Sequence, residues 1–505
     1  MEVQKLRRFF SYDMKNLKGD VIGGFTTAIV ALPLAIALGV ASGVGAKAGL
    51  YSAIITGILS TLFGGTPAQV NGPTGAMTVV LIELYDKYGP EALFAAMLVA
   101  GIIQIIIGLF RLGKYIHLIP HPVIIGFTNG IGILIFLEMF KKNFNKGPIL
   151  AIITILIMLL FPFLTKKVPA SLIALIAGTL VGTYFFNLNT DALVGAIPSG
   201  LPQLSFPLFK ADQIFDVVKS GFILALLGCI ESLLAALLVD EMTKTKHNSN
   251  RELVGQGIGN TVASLFGSLI GTGAIVRSVV NVNAGGRTRL SGILHGLILL
   301  VITLKLGPLA SQIPLAVLGG ILMGTSIKMV EFNATKRLAS ASKKAGIVVI
   351  VTTLLTVFTD LTIAVALGTL LSALSFVVKM GNVYLKKYEV DAGSSNKKIA
   401  SFTIEGPLFF GVAHAIISKL EMESEDADII VLNLMNMPII DSSGAMLLKS
   451  IKEQIEQDGK KLIFAGVKEN MTYMLKKLDV VTDDELSVSK KRIGDVINHV
   501  RLTMA

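Results

Sequence analysis

The chain has 505 residues, of which 52% are apolar and only 16% are charged, and its mean hydropathy is +0.71. Soluble domains contain about 25% charged residues, so this composition excludes an ordinary soluble protein. The net charge of +11 comes from short Lys and Arg clusters between apolar runs, which argues against a nucleic-acid partner. The single cysteine, Cys229, excludes an intrachain disulfide and a thiolate metal cluster.

Apolar runs recur along the first 380 residues and then stop. One of them, residues 221–239, has the length of about 20 residues that crosses a bilayer as a helix. We therefore predict an α-helical integral membrane protein, with its membrane domain at 20–385. Residues 1–19 are basic and amphipathic and lack a cleavage site, which predicts a cytoplasmic lead-in helix on the membrane surface.

Fourteen transmembrane segments are predicted, and most of the basic connections between them fall on one side. That side is assigned to the cytoplasm, together with both termini, because short cytoplasmic loops are enriched in Lys and Arg. The cluster of Lys141, Lys142 and Lys146 falls on the other side and disagrees. The predicted segments begin near residues 20, 46, 73, 91, 121, 149, 169, 219, 252, 274, 290, 313, 344 and 361.

A connection at 187–217, rich in Pro and Asn, divides the segments into two sets of seven, at about 20–186 and 217–380. The third segment of each set, 64–81 and 267–286, is interrupted by Gly, Pro or Asn. Paired broken segments indicate an inverted-repeat transporter with its substrate at the bilayer midplane. The alternative is that two Gly-rich loops enter the membrane by coincidence.

Several stretches resemble the sulfate permease (SulP) family, and the cyanobacterial bicarbonate transporters of that family in particular. They are GDVIGGFTTAIVALPLAIALGVASG (19–43), FGGTPAQVNGPTGAMT (63–78), TKTKHNSNRELVGQGIGN (243–260) and VVNVNAGGRTRLSG (279–292). The resemblance implies a membrane domain with a 7+7 inverted repeat and two half-helices, followed by a cytoplasmic α/β STAS domain. It also implies secondary transport of bicarbonate, sulfate or a related anion in the cytoplasmic (inner) membrane of a bacterium, by a homodimer.

A helix that begins inside the membrane directs unpaired N–H groups at a cavity and so favours an anion. We predict two such starts, at Pro73, Thr74 and Gly75, with Pro73 in the first helical turn, and at Gly273, Ala274 and Ile275. The resemblance assigns the anion site to Thr74, Gly75, Ala274 and Ile275. The alternative role for Thr74 is a simple helix cap.

Two ionisable residues lie within these apolar segments. Arg277, in the first turn of the second half-helix, is the candidate that attracts the anion, and its alternative role is a fixed ion pair with Glu231. Glu231 is the candidate coupling site, and its alternative is a permanently protonated carboxyl group. Around Glu231 the chain resembles the sodium-driven bicarbonate carriers, which have Thr where this chain has Ala235 and Ile275. Two oxygen ligands for sodium are therefore missing, and H⁺ is favoured over Na⁺ as the coupling ion.

Other polar residues of the membrane segments are interpreted as structural. Leu34 gives the site an apolar wall where many family members have Gln. Gln104, Asn129, Asn281 and His295 are interpreted as interhelical hydrogen-bond partners. None has the spacing of metal ligands, so no metal or cofactor is predicted, and no catalytic constellation indicates an enzyme.

A linker at 386–398 precedes a soluble domain at 399–505 in which strand and helix patterns alternate. They predict a mixed α/β fold with helices on one side of a sheet. PIIDSSGAMLL (438–448) resembles the loop-to-helix signature of STAS domains, and stand-alone members of that fold are phosphorylated at the serine equivalent to Ser442. The alternative is that Asp441 or Ser442 caps the helix.

The leading hypothesis is a coupled anion carrier. An uncoupled exchanger or channel of the same fold, Na⁺-coupled bicarbonate uptake, a nucleobase carrier and a membrane-tethered signalling protein remain as alternatives.

Overall fold

The structure, a computed structural model, describes residues 14–504 with internal gaps. The gaps are 119, 145–146, 166–167, 187–191, 195–201, 208–209, 360, 381–383, 390–397, 410–419, 421–422 and 425. Several predicted features lie outside the described residues. They are most of the lead-in, the basic residues Lys146, Lys166 and Lys167 of predicted connections between segments, most of the linker, and most of residues 413–422, where the soluble domain has its first predicted helix.

The chain divides after Thr369 into two compact units. The first unit is helical and includes two strands of two residues each. Its elements are α1 (Leu17–Ala41), α2 (Ala46–Phe63), β1 (Asn71–Gly72), α3 (Gly75–Leu109), α4 (His121–Asn143), α5 (Pro148–Leu164), α6 (Ala170–Phe185), α7 (Ile214–Thr243), α8 (Ser249–Leu265), β2 (Thr272–Gly273), α9 (Ile275–Asn283), α10 (Arg289–Ala310), α11 (Leu315–Met329), α12 (Phe332–Ala341) and α13 (Lys343–Phe358). The next helix, α14 (Leu361–Met380), contains the division, whereas hydropathy places the end of the membrane domain near residue 385.

Among the described residues, six helical stretches are long and apolar enough to cross a membrane, with mean hydropathies of 1.3 to 2.5. Shorter apolar helices occur at Pro148–Leu164, Ala170–Phe185 and Ile363–Val378. The two helices after the strands differ greatly in length, since α3 has 35 residues and α9 has nine. The number of fourteen spans therefore stays a prediction.

Helix α3 joins two segments that the sequence predicts separately, near residues 73 and 91. At Gly89 its backbone has φ 81° and ψ −178°, and Pro90 follows. Proline disfavours the helical conformation of the preceding residue, and only glycine adopts this positive φ without strain. The helix is therefore kinked where the sequence predicts a boundary.

The second unit contains a four-stranded sheet in the order β3 (Tyr384–Glu389), β4 (Ile399–Glu405), β5 (Ile429–Asn433) and β6 (Lys461–Ala465). β3 and β4 are antiparallel, and the other neighbouring pairs are parallel. Strand β3 occupies residues that composition assigns to the end of the membrane domain and the linker. The helices of this unit are α15 (Ser442–Gln457), α16 (Glu469–Lys477), α17 (Asp483–Ser489) and α18 (Ile493–Met504).

Helices cover both faces of this sheet, so the prediction of helices on one side is wrong. Leu432 of β5 packs in a core with Leu448 of α15, whereas its neighbour Val431 packs with Val496 and Val500 of α18. Successive strand residues point to opposite faces, so the fully buried pattern of β5 requires a cover on each side.

Candidate functional site

The two short strands of the first unit pair with each other. Asn71 lies opposite Gly273 and Gly72 opposite Thr272, in an antiparallel arrangement. Each strand is followed after one or two residues by a helix, α3 at Gly75 and α9 at Ile275. The starts of the two half-helices predicted from the sequence are therefore joined by backbone pairing.

Neither helix start is capped by a side chain. Thr74 and Ala274 hold the N-cap positions with extended backbones, and neither makes a side-chain capping hydrogen bond. The first-turn N–H groups of α3 and α9 are thus left to a ligand or to water, which is the geometry of an anion site. Two sequence interpretations are wrong here, because Thr74 is not a side-chain cap and Pro73 precedes the helix instead of entering its first turn.

Glu231 of α7 faces these helix starts, and one of its carboxylate oxygens accepts hydrogen bonds from two hydroxyl groups. Thr74 Oγ1 donates to Glu231 Oε2 at 2.7 Å and Thr272 Oγ1 donates to the same atom at 2.9 Å. Oε1 has no hydrogen-bond partner within the described part of the chain. The carboxyl group therefore connects three elements and keeps one oxygen for a proton, a cation or water.

Arg277 of α9 is 3% exposed and points back to the other half-helix. Its Nη2 donates to the carbonyl of Pro73, and its Nη1 is buried with no hydrogen-bond partner in the structure. No ion pair within 4 Å joins it to Glu231 among the described residues, so the alternative of a fixed ion pair is wrong. An unpaired buried guanidinium N–H is costly, which favours a ligand or water beside it.

A cavity of about 280 Å³ lies in front of these groups. Its lining includes every membrane residue that the sequence assigns to the substrate or to coupling. Lys328 and Glu331 also line it, although the sequence does not assign them to the site. Lys328 was missed because it lies at the end of an apolar segment, where basic residues indicate a cytoplasmic loop. The predicted residues that line the cavity are Leu34, Thr74, Gly75, Glu231, Gly273, Ala274, Ile275 and Arg277.

A buried carboxylate behind the strands was also missed. Glu252 of α8 is 1% exposed, and its Oε2 accepts from the backbone N–H groups of Gly65 and Thr66 at 2.8 and 2.9 Å. Its Oε1 accepts from the side chains of Gln69 and Gln256 at 2.8 and 3.1 Å. Glu252 could have been identified by its position in a helix with few other charged residues. The neighbouring basic residues indicated a solvated loop instead.

Three of the four polar residues interpreted as interhelical partners do make such bonds. Asn260 donates to Gln104 at 2.8 Å, Asn129 donates to Thr335 at 3.1 Å, and Asn281 donates to Ser291 at 2.7 Å. His295 is different, because both of its ring nitrogens are buried and have no hydrogen-bond partner among the residues that the structure describes. Its interpretation as an interhelical hydrogen-bond partner is therefore wrong.

In the second unit, Asp441 caps α15 and Ser442 is its first residue. Asp441 Oδ1 accepts from the N–H of Gly444 at 2.7 Å, whereas Ser442 is exposed and makes no capping bond. The cap is thus assigned to Asp441, and the Ser442 hydroxyl lies at the positive end of the helix.

We expect Asp441→Ala to loosen α15, since loss of an N-cap costs about 1 kcal/mol, or roughly a fivefold change in an opening equilibrium. Hydrogen exchange of the α15 amides in the full chain should accelerate by about that factor. Ser442→Ala is the matched control and should leave exchange unchanged. Equal acceleration in both variants would contradict the assignment of the cap.

Comparison with known proteins agrees with this architecture. The sulfate permease family model matches residues 17–147 and 142–353, and the STAS domain model matches residues 394–488. The bicarbonate transporter BicA of Synechocystis is 36% identical, with 92% of this chain and 91% of that protein covered. The putative sulfate transporter YvdB of Bacillus subtilis is 34% identical, with 93% of this chain and 95% of that protein covered.

Solved structures are similar as well. The transmembrane domain of a cyanobacterial BicA matches with a TM-score of 0.66 at 39% identity, covering 70% of this chain and 98% of that one. The overall structure of SLC26A9 matches with a TM-score of 0.83 over 97% of this chain and 91% of that one, and its 18% identity supports the fold alone. Both sequence relatives are named as transporters and neither as an enzyme. The chain is therefore a multi-pass membrane protein that belongs to the sulfate permease family and carries a C-terminal STAS domain.

Proposed function

We propose that this protein carries a small anion, bicarbonate, sulfate or a related species, across the cytoplasmic membrane by cation-coupled symport. One observation carries the proposal: both uncapped half-helix starts and the unpaired Nη1 of Arg277 belong to one cavity. Positive helix ends and a guanidinium attract an anion. The names of the sequence relatives support the same substrate class.

The proposal includes the topology predicted from the sequence. Among the described residues, counting α3 as two segments on either side of Gly89 and leaving out the amphipathic α12 gives seven helices before residue 187 and seven between residues 214 and 380. The pairing of β1 with β2 at equivalent places in the two halves supports an inverted repeat. We also propose cytoplasmic termini and a homodimer, following the positive-inside pattern and the family resemblance.

We propose H⁺ as the coupling ion and Glu231 as its site. A proton on the free oxygen Oε1 would remove the negative charge that repels the anion beside Arg277. Proton and anion would then favour each other's binding and move together.

Sodium remains a second candidate because of one observation. The sequence lacks the Thr residues of sodium-driven relatives at Ala235 and Ile275, yet Thr74 and Thr272 place two other hydroxyl oxygens on Glu231. Hydroxyl and carboxylate oxygens are the ligands that hard cations prefer.

We expect Glu231→Gln to abolish concentrative uptake while anion exchange continues, because the amide binds neither a proton nor a cation as the carboxylate does. Uptake of labelled bicarbonate and sulfate would be measured in proteoliposomes under a pH gradient without sodium, and under a sodium gradient at constant pH. Glu241→Gln, on the exposed face of the same helix, is the matched control and should behave as the original protein.

The two gradients separate the candidates. Concentrative uptake under the pH gradient alone supports proton coupling. Uptake driven by sodium at fixed pH, and unchanged in Glu231→Gln, would overturn it. Uptake driven by sodium and lost in both Glu231→Gln and Thr272→Ala would instead favour the sodium alternative.

A further inference from the structure

We propose that the preferred anion is a monocarboxylate with a short apolar tail, an inference that rests on the proposed transport function. The observations are the composition of the cavity wall, its volume and the placement of its positive charges. The first two distinguish such an anion from the strongly hydrated inorganic ions, and the third places its carboxylate.

One wall of the cavity is largely apolar. It is built mainly from α4, whose Val123, Phe127, Ile131 and Ile135 lie along one side of the helix at spacings of four residues, with Leu34 from α1 beside them. Thr128 adds one hydroxyl group to the lining from α4. The apolar side chains provide no hydrogen bonds to an oxyanion, but they gain free energy from contact with hydrocarbon.

The hydroxyl groups of α11 do not change this character. Thr325 Oγ1 donates to the carbonyl of Ile321 at 2.8 Å, and Ser326 Oγ donates to that of Met323 at 2.7 Å. Both hydroxyl protons are therefore used within their own helix, so neither serves as a ready donor to an anion.

The volume exceeds what an inorganic anion fills. A cavity needs only about 10–15 Å³ to hold one water molecule, whereas this one has about 280 Å³. Bicarbonate has four non-hydrogen atoms and sulfate has five, so each would leave much of the cavity to water beside an apolar wall. A hydrocarbon tail would displace that water without losing hydrogen bonds.

The positive charges of the lining are placed together. Arg277 lies in the first turn of α9, and the starts of α3 and α9 are each equivalent to about half a positive charge. The two other cavity residues that the sequence analysis missed, Lys328 and Glu331, are opposite in sign and exposed. A carboxylate at the helix starts, with its tail on α4, fits this arrangement.

The test is a binding series on the full chain in detergent, with sodium acetate, butyrate and hexanoate as probes and sodium bicarbonate and sulfate beside them. Dissociation constants would be obtained from the ligand dependence of the thermal midpoint. We expect the constant to fall about fourfold per methylene, the factor that corresponds to about 0.8 kcal/mol for a buried CH₂, and so about 250-fold over the four methylenes between acetate and hexanoate. Hexanol, which has the tail without the charge, should cause little shift.

Two variants locate the tail. Ile131→Thr places a polar group on the wall and should reduce the gain per methylene, whereas Ile106→Thr, at a 44% exposed position outside the cavity lining, should not. Equal affinity for acetate and hexanoate, with bicarbonate or sulfate still bound, would overturn this inference and leave the transport proposal standing. A shift by hexanol as large as that by hexanoate would also overturn it. Failure of every anion to bind would overturn the transport proposal itself.

Discussion

Replacing Arg277 with alanine should weaken anion binding by about thirtyfold or more. The guanidinium is buried, its Nη1 has no partner in the structure, and it lies beside both half-helix starts. Arg277 and the bound anion would form a buried charge pair. Truncating one member of such a pair costs about 2–5 kcal/mol, because the other charge, here that of the anion, is left without compensation. The effect would be measured as the dissociation constant for bicarbonate, sulfate and butyrate in the thermal-midpoint assay.

Arg277→Lys is the informative companion variant. Lysine keeps the positive charge but lacks the planar guanidinium group. It therefore cannot donate hydrogen bonds to the Pro73 carbonyl and to an anion at the same time in the geometry that arginine allows. We expect intermediate affinity from it. The thermal midpoints of both variants without ligand report whether the fold is intact. An Arg277→Ala protein that is folded and binds anions as before would exclude this residue from the site.

The second large effect is expected on stability, from Glu252→Gln. The carboxylate accepts two backbone and two side-chain N–H groups, so an amide must direct its NH₂ at one of these pairs of donors. Hydrogen bonds to charged groups are worth about 1.5–3 kcal/mol each, so losing two costs roughly 3–6 kcal/mol. The thermal midpoint of the detergent-solubilised protein should fall by several degrees or more.

Glu83→Gln is the control for this loss, because Glu83 is exposed on α3 and should tolerate the amide. Anion affinity of any folded Glu252→Gln protein should also fall. Gly65, Thr66 and Gln69 belong to the segment that leads into β1, so their release would disorder the first helix start. Equal midpoints for the two variants would show that the Glu252 contacts contribute little.

The helix starts could be predicted because their signal is local. Glycine, proline and asparagine within an apolar run indicate interrupted helices, and the structure begins α3 at Gly75 and α9 at Ile275. The eight membrane residues assigned to the site from motif and resemblance lie around one cavity.

The partners of those residues could not be predicted, because they are distant in the chain. Glu231 lies 157 residues from Thr74, and Arg277 lies 204 residues from Pro73. Opposite charges suggested an ion pair between Glu231 and Arg277, whereas the fold gives each of them neutral oxygen or hydroxyl partners. In the STAS domain three of the four strands could be predicted, whereas β3 was assigned to the end of the membrane domain and the linker. The position of α18 on the second face depends on packing and not on its own amphipathic pattern.

The ladder between β1 and β2 limits how the protein can open. Because Asn71 pairs with Gly273 and Gly72 with Thr272, the two positive helix ends cannot separate without breaking main-chain hydrogen bonds. We therefore expect the two helix starts to move as one unit. In a carrier that exposes its anion to alternate sides of the membrane, we expect this unit to shift relative to the apolar side chains of α4 that line the same cavity.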